Sequence, residues 1–244
     1  MIYDKFYFLH IPKTGGRFFT KYIISPIESQ LKANGIDILE IPKGIQRHGG
    51  WHKDIDETTY IVSLFRDPAK QFVSSIAHMV AAKEGLIDED NNFILKDKSK
   101  VLDIDKDFLF NMLEELKYLK NFQSQNFVLT TDKFPILTES RRAYQQNKKF
   151  DINLIYERVK RVNLMIRNED LISLDYSVLI NKLSKDLKVK IEIDLLNLDK
   201  EHFKNNSSEN LFNKLNQKDI DIIYKNFMLD KEIYEDNSLF WNLS

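Results

Sequence analysis

The chain has 244 residues, 43% of them hydrophobic and 30% charged, with a formal net charge of −1. That is enough apolar material for a full core in one domain, and the near-zero charge excludes nucleic-acid binding driven by overall electrostatics. The absence of cysteine excludes disulfides, thiolate metal sites and a cysteine nucleophile. No early apolar stretch reaches the ~18 residues of a membrane-spanning helix. The first residues run straight into a strand pattern and leave no room for a signal peptide, so a cytoplasmic protein is expected.

In chain order, Lys5–His10 reads as a buried, aromatic-rich strand. A tight turn follows, Ile11-Pro-Lys-Thr-Gly-Gly16, holding one lysine and two glycines, and then a helix start. Strand, glycine turn and helix N-terminus together present backbone N–H groups and a positive dipole end to an anion. Phe18–Leu31 carries apolar residues at helical spacing, and Pro26 is expected to kink or end that helix early. Ile36–Ile41 is a second strand pattern and Thr59–Phe65 a third, apolar and β-branched.

Asp67-Pro68 has the chemistry of a helix N-cap followed by the first helical position, and Phe72, Val73, Ile76, Met79 and Val80 supply a buried face. Gly85–Lys106, polar and charged, reads as a mobile excursion or lid. Beyond it, helices are expected at Phe108–Tyr118, Asp151–Lys160, Tyr176–Leu187 and Asp219–Phe227. Strands are expected at Phe127–Thr131 and Val162–Arg167. No repeat or low-complexity linker divides the chain, so residues 1–244 are read as one domain. Strands alternating with helices imply an α/β fold whose mostly parallel sheet binds ligands at the strand carboxyl ends.

The turn at His10–Gly16 is not a Walker A sequence, because its lysine precedes the glycines. It resembles the 5′-phosphosulfate loop of sulfotransferases that use 3′-phosphoadenosine 5′-phosphosulfate, above all the carbohydrate group that includes heparan sulfate 2-O-sulfotransferase. The segment Tyr60-Ile-Val-Ser-Leu-Phe-Arg-Asp-Pro-Ala-Lys-Gln-Phe-Val-Ser74 is similar to that family's 3′-phosphate motif: a strand, Arg-Asp-Pro, and a serine eight residues after the arginine. A guanidinium at a strand end can grip a phosphate bidentately. The segments Asn121–Gln125, Val162–Leu171, 204–208, Ile220–Tyr224 and Lys231–Tyr234 resemble later family elements more weakly.

The resemblance implies a P-loop-like fold with a mostly parallel central sheet flanked by helices. It implies 3′-phosphoadenosine 5′-phosphosulfate as co-substrate, no metal, and a glycan or other hydroxyl as acceptor. It assigns Lys13, Thr14, Gly15 and Gly16, with Arg17 and Phe18, to the 5′-phosphosulfate, and Arg66 and Ser74 to the 3′-phosphate. Lys13 also takes the role of the cation at the leaving oxygen. Two departures stand out: Arg17 and Phe18 replace the family's hydroxyl residues after the glycines, and Gln71 stands where a second arginine is usual.

In-line sulfuryl transfer needs a base for the acceptor hydroxyl. Lys21 occupies the place of the helix glutamate that some sulfotransferases use, which leaves the histidines. The carbohydrate group carries its catalytic histidine between the two motifs, and the resemblance implies His48 as the base, the better match, with His52 second; a histidine titrates near ~6.5, within reach of neutral pH. Gly49 and Gly50 between them argue against a shared metal site. Nine basic residues between Lys133 and Arg167 form either an anion-attracting patch or a solvated face, and Trp51, Tyr144 and Phe150 either stack on sugar rings or belong to the core. Two other readings stay open: a P-loop-like small-molecule kinase, and a nucleotide- or glycan-binding protein with weak catalysis.

Overall fold

The computed structural model describes residues 2–39, 49–85, 104–130, 136–194 and 207–241. Strands β1 (Lys5–Leu9), β2 (Asp37–Ile38), β3 (Thr59–Phe65) and β4 (Leu164–Arg167) form one sheet in the order β2-β1-β3-β4, with every pairing parallel. The α/β class and the parallel central sheet flanked by helices are therefore as the sequence implies. All seven residues of β3 are buried because helices cover both faces of the sheet.

Side chains alternate across the strands with period two. Phe6, Tyr60, Val62, Leu64, Leu164 and Ile166 point to one face, where they meet the helices after β1 and helix Tyr176–Leu187. Tyr7, Leu9, Ile61, Phe65 and Met165 point to the other, against Ile155, Val159, Ile233 and Phe240.

After β1 come α1 (Gly16–Phe19), a π-helical turn (Thr20–Ile24) and α2 (Ser25–Ala33), without a break. Of the two outcomes expected, a kink or an end, the helix is not ended at Pro26. Widening of the backbone in the π-helical turn just before it accommodates the missing N–H and the ring. Helix α3 (Pro68–Lys83) follows β3, with the Asp67 side chain accepting from Lys70 N at 3.0 Å and Pro68 at the first helical position. Next come α4 (Lys106–Glu115), α5 (Phe122–Gln125), α6 (Ile136–Gln145) and α7 (Ile152–Lys160). Beyond β4 lie a 3-10 segment (Asn168–Ile172), α8 (Tyr176–Leu187), α9 (Ser207–Phe212), α10 (Gln217–Asn226) and α11 (Met228–Glu235).

Helix α3 packs its Ala69, Phe72, Val73 and Ile76 face against α4, α9 and α10, which together build a helical layer. The strand expected at Phe127–Thr131 is absent up to Thr130, and Thr131 lies outside the described residues. The N–H groups of Phe127, Val128 and Leu129 donate back to Ser124 and Gln125 carbonyls at the end of α5, so they cannot join a ladder. The strand expected at Ile36–Ile41 is seen as β2, and its last two positions lie outside the described residues. So do residues 86–103 of the expected lid. Among the described residues no helix is long and apolar enough to cross a membrane.

The chain goes from β1 to β2 on one side and to β3 on the other, so β1 and β3 flank a topological switch point. The carboxyl ends of strands at such a point are the usual ligand position in open α/β sheets.

Candidate functional site

The loop after β1 turns through two left-handed residues, Lys13 (φ 66°) and Gly15 (φ 87°). Four consecutive carbonyls in it are tied back to the scaffold. Ile11 O accepts from Thr14 Oγ1 (2.8 Å), Pro12 O from Gln71 Nε2 (3.2 Å), Lys13 O from Arg66 Nη1 (3.2 Å) and Thr14 O from Asn168 Nδ2 (3.1 Å). A left-handed residue followed by a helical one, as at Gly15 and Gly16, is a backbone pattern found in anion nests. A non-glycine residue in the left-handed region costs about 1–3 kcal/mol, and this bracing holds Lys13 there.

Both glycines are required sterically. A Cβ on Gly15 would lie 2.3 Å from Asn168 Nδ2, and one on Gly16 would lie 2.0 Å from the His10 ring. His10 is buried and stacks on Phe8, so it serves as the wall against which α1 begins.

The Lys13 ammonium makes no hydrogen bond or ion pair among the described residues. Desolvation, and the guanidinium charges of Arg17 and Arg66, hold its pKa down to about 7. Three cations thus converge where two strands end, and a bound anion would relieve their repulsion. Arg66 is 9% exposed, and its Nε has no hydrogen-bond acceptor among the described residues. Its backbone is clamped on both sides by Gln123, whose Oε1 accepts from Arg66 N (2.9 Å) and whose Nε2 donates to Arg66 O (2.8 Å). Gln123 is positioned in turn by Asp230, which is fully buried and accepts from the Gln123 and Ser124 amides.

The nearest counter-charge to Arg66 is Glu169, with Oε1 3.9 Å from Nε. Burial pushes the Glu169 carboxyl up and the Arg66 guanidinium down. Desolvation therefore outweighs their attraction at this separation, and the pair does not saturate the guanidinium.

Two clefts open on either side of this cluster. One, of about 630 Å³ including its open mouth, is of mixed character, lined by Arg66, Lys70, Asn168 and Glu169 together with Ile172 and Phe212. The other, of about 450 Å³, is largely apolar and bounded by Lys13, Ser75, His78, Met79, Phe122 and Phe227.

The remaining sequence-predicted residues divide. Arg17 is exposed at the start of α1, near enough to lower the Lys13 pKa. Thr14 is fully buried, with its hydroxyl committed to Ile11 O. Phe18 is a core side chain packed on Tyr22 and Tyr176, so only its backbone can face the loop. Ser74 is half-buried on α3, one turn after Lys70 and one before His78, and lines neither cleft. Among the pair Ser74 and Ser75, the latter borders the Lys13 cleft, with its hydroxyl donating to Gln71 O at 2.9 Å.

His48 lies outside the described residues. His52 packs beside Tyr7, two residues back from the end of β1, with ring centroids 5.7 Å apart, and its Nδ1 accepts from Asp54 N. It does not line the Lys13 cleft.

Sequence reasoning passed over Asn168, Glu169 and His78 as site residues. The signal for the last was a run of polar residues at helical spacing on α3, Gln71, Ser74, Ser75 and His78. Comparison with known protein families, with curated proteins and with solved structures gives no match.

Proposed function

We propose that this protein is a sulfotransferase that moves a sulfuryl group from 3′-phosphoadenosine 5′-phosphosulfate to a hydroxyl group. The single observation that carries the reading is Lys13: a desolvated ammonium without a counter-ion, set in a braced loop beside Arg66. A donor with phosphate groups at both ends of its ribose needs two cationic sites. Lys13 with the Gly15–Gly16 turn would hold the 5′-phosphosulfate, and Arg66 in the cleft it lines the 3′-phosphate. The orphaned Arg66 Nε suits such a group. Neutralising the charge that develops on the leaving phosphate oxygen is the task Lys13 would perform. The family resemblance of the two motifs implies a carbohydrate as acceptor.

Calorimetry with 3′-phosphoadenosine 5′-phosphate and with ATP, each with and without magnesium, tests the reading. Metal-independent binding of the bisphosphate, tighter than that of ATP, is expected. Preference for ATP with magnesium would sink the proposal in favour of a kinase. Bisphosphate binding without donor turnover on any acceptor would reduce it to a binding protein.

A further inference from the structure

Arg66 stands one residue past the end of β3, where the strand ladder stops. The Gln123 side chain takes the ladder's place. Its amide accepts from Arg66 N and donates to Arg66 O, as a neighbouring strand would. Gln123 belongs to α5, a helix of four residues, all of them buried. A single helical turn has little stability of its own, so what holds it comes from outside.

The holder is α11. Asp230 accepts from Gln123 N at 3.1 Å and from Ser124 N at 2.7 Å, and the Ser124 hydroxyl donates to it as well. In the other direction, Asn121 Oδ1 accepts from Leu229 N at 3.0 Å. Neither helix has a capping side chain at its own N-cap position, so the two N-termini cap each other. Asp230 is fully buried and forms no ion pair among the described residues. A buried carboxylate is costly unless its lone pairs are met, and here three donors from two successive residues meet them. Burial raises its pKa to about 6, so at pH 7 the carboxylate form prevails and only accepts. Helices α10 and α11 also reach the two acidic residues beside the guanidinium. Tyr224 donates to Asp67 Oδ2 at 2.6 Å, and Tyr234 to Glu169 Oε2 at 3.1 Å.

We propose that Asp230 is a positioning residue for the phosphate grip at Arg66: by capping α5 it fixes Gln123, and Gln123 fixes the arginine at the strand end. The inference rests on the sulfotransferase reading, in which Arg66 takes the 3′-phosphate. It adds to that reading a residue too deeply buried to touch donor or acceptor. A cap that merely held the fold together would affect stability and leave Arg66 as it is.

Calorimetric titration of 3′-phosphoadenosine 5′-phosphate into the full chain gives the first measure. Asp230→Asn turns one accepting oxygen into a donor that faces an N–H group. It should weaken binding about tenfold, within the range for members of one hydrogen-bond network. Ser124→Ala removes one donor and keeps both amides; it should lose about threefold, and it carries the test where Asp230→Asn does not fold. Ser140→Ala is the control, since the Ser140 hydroxyl bonds Gln125 Oε1 of the same helix and Tyr118 O without reaching Arg66. It should lower the melting temperature and leave affinity within about twofold.

Two further readouts exclude a purely structural role. In an Arg66→Ala background, Asp230→Asn should change affinity by less than about twofold, because its route to the ligand is gone. In the ligand-free protein, the NMR signal of the Arg66 Nε–H, assigned by its loss in Arg66→Lys, should move in Asp230→Asn while that of Arg158 stays. Affinities in Asp230→Asn and Ser124→Ala equal to that in Ser140→Ala overturn the assignment. So does the full tenfold loss in the Arg66→Ala background, or an unmoved Arg66 signal, and each leaves the sulfotransferase reading standing. Failure of the bisphosphate to bind the unaltered chain is a separate result, which removes that reading and this assignment with it.

Discussion

Lys13, Arg17 and Arg66 come together where β1 and β3 end, while Arg158, Arg161 and Arg167 lie along α7 and β4. Both groups are cationic, yet their charges are spent differently. Arg158 donates to Phe127 O at 2.8 Å and covers the face of Trp51 at 4.9 Å. Arg161 donates to the carbonyls of Asp56 and Thr59. Arg167 donates to Tyr234 O and lies 4.0 Å above the Phe240 ring. These guanidiniums staple loops to the core, and Trp51 is 8% exposed beneath one of them. At the β1–β3 end, by contrast, Lys13 and Arg66 Nε are desolvated and retain unmet hydrogen-bonding capacity. Local density of positive charge does not by itself leave a cation unsatisfied; burial of Lys13 and Arg66 without matching acceptors among the described residues does.

The sharpest way to break this contrast is to exchange the outcomes. Arg66→Ala should weaken binding of 3′-phosphoadenosine 5′-phosphate by about 10–100-fold, the usual scale for a charged hydrogen bond. Arg158→Ala should leave that affinity within about twofold and lose about 1–2 kcal/mol of stability, from one hydrogen bond and one aromatic face. Calorimetric titration and thermal unfolding of both variants separate the roles. Equal loss of affinity in the two would erase the distinction.

A second test uses protons. With its pKa held at about 7 in the free protein, Lys13 is half neutral there, and a bound anion should restore its usual basicity. Binding must then take up a proton, and affinity should fall about tenfold per unit as pH rises above 7, until the bound-state pKa is reached. Titrations in buffers of different ionisation enthalpy would count that proton, and Lys13→Arg should abolish the dependence. The folding sign is the opposite of a stabilising ion pair. The unfolded chain binds more protons than the folded one between pH 7 and 10.5, so this lysine makes stability rise with pH across that window.

The smallest effect concerns Glu169, whose carboxylate sits near Arg66 without a hydrogen bond to it. Glu169→Gln removes a competing negative charge and should tighten bisphosphate binding by roughly threefold, a fraction of the charged-bond scale. Weaker binding would show that the carboxylate orients the guanidinium rather than competes for it.

Much of the frame was legible along the chain because local rules specified it. The β1 strand, the all-buried β3, the Asp67-Pro68 helix start and Tyr176–Leu187 each follow from burial period and capping chemistry. Local rules failed where a non-local contact or an unusual helical turn decided the outcome. Phe127–Thr130 has strand composition, but its amides are taken by the end of α5. The helix persists through Pro26 because a π-helical turn precedes it. Gln71 reads as a lost arginine along the chain, and in the fold it braces Pro12 O.

What the sequence by itself determined is the chemistry of the loop: a lysine before two glycines at the end of a buried strand, and an arginine at the end of another. Strand periodicity and glycine sterics are short-range, so they are written locally. Only the tertiary structure decided which groups share a site. Parallel pairing of β1 with β3 brought Lys13 to Arg66 across more than fifty positions, and α3 laid His78 beside them. Those juxtapositions set desolvation and charge, and hence which cation is left waiting for an anion. They depend on distances that no spacing along the chain encodes.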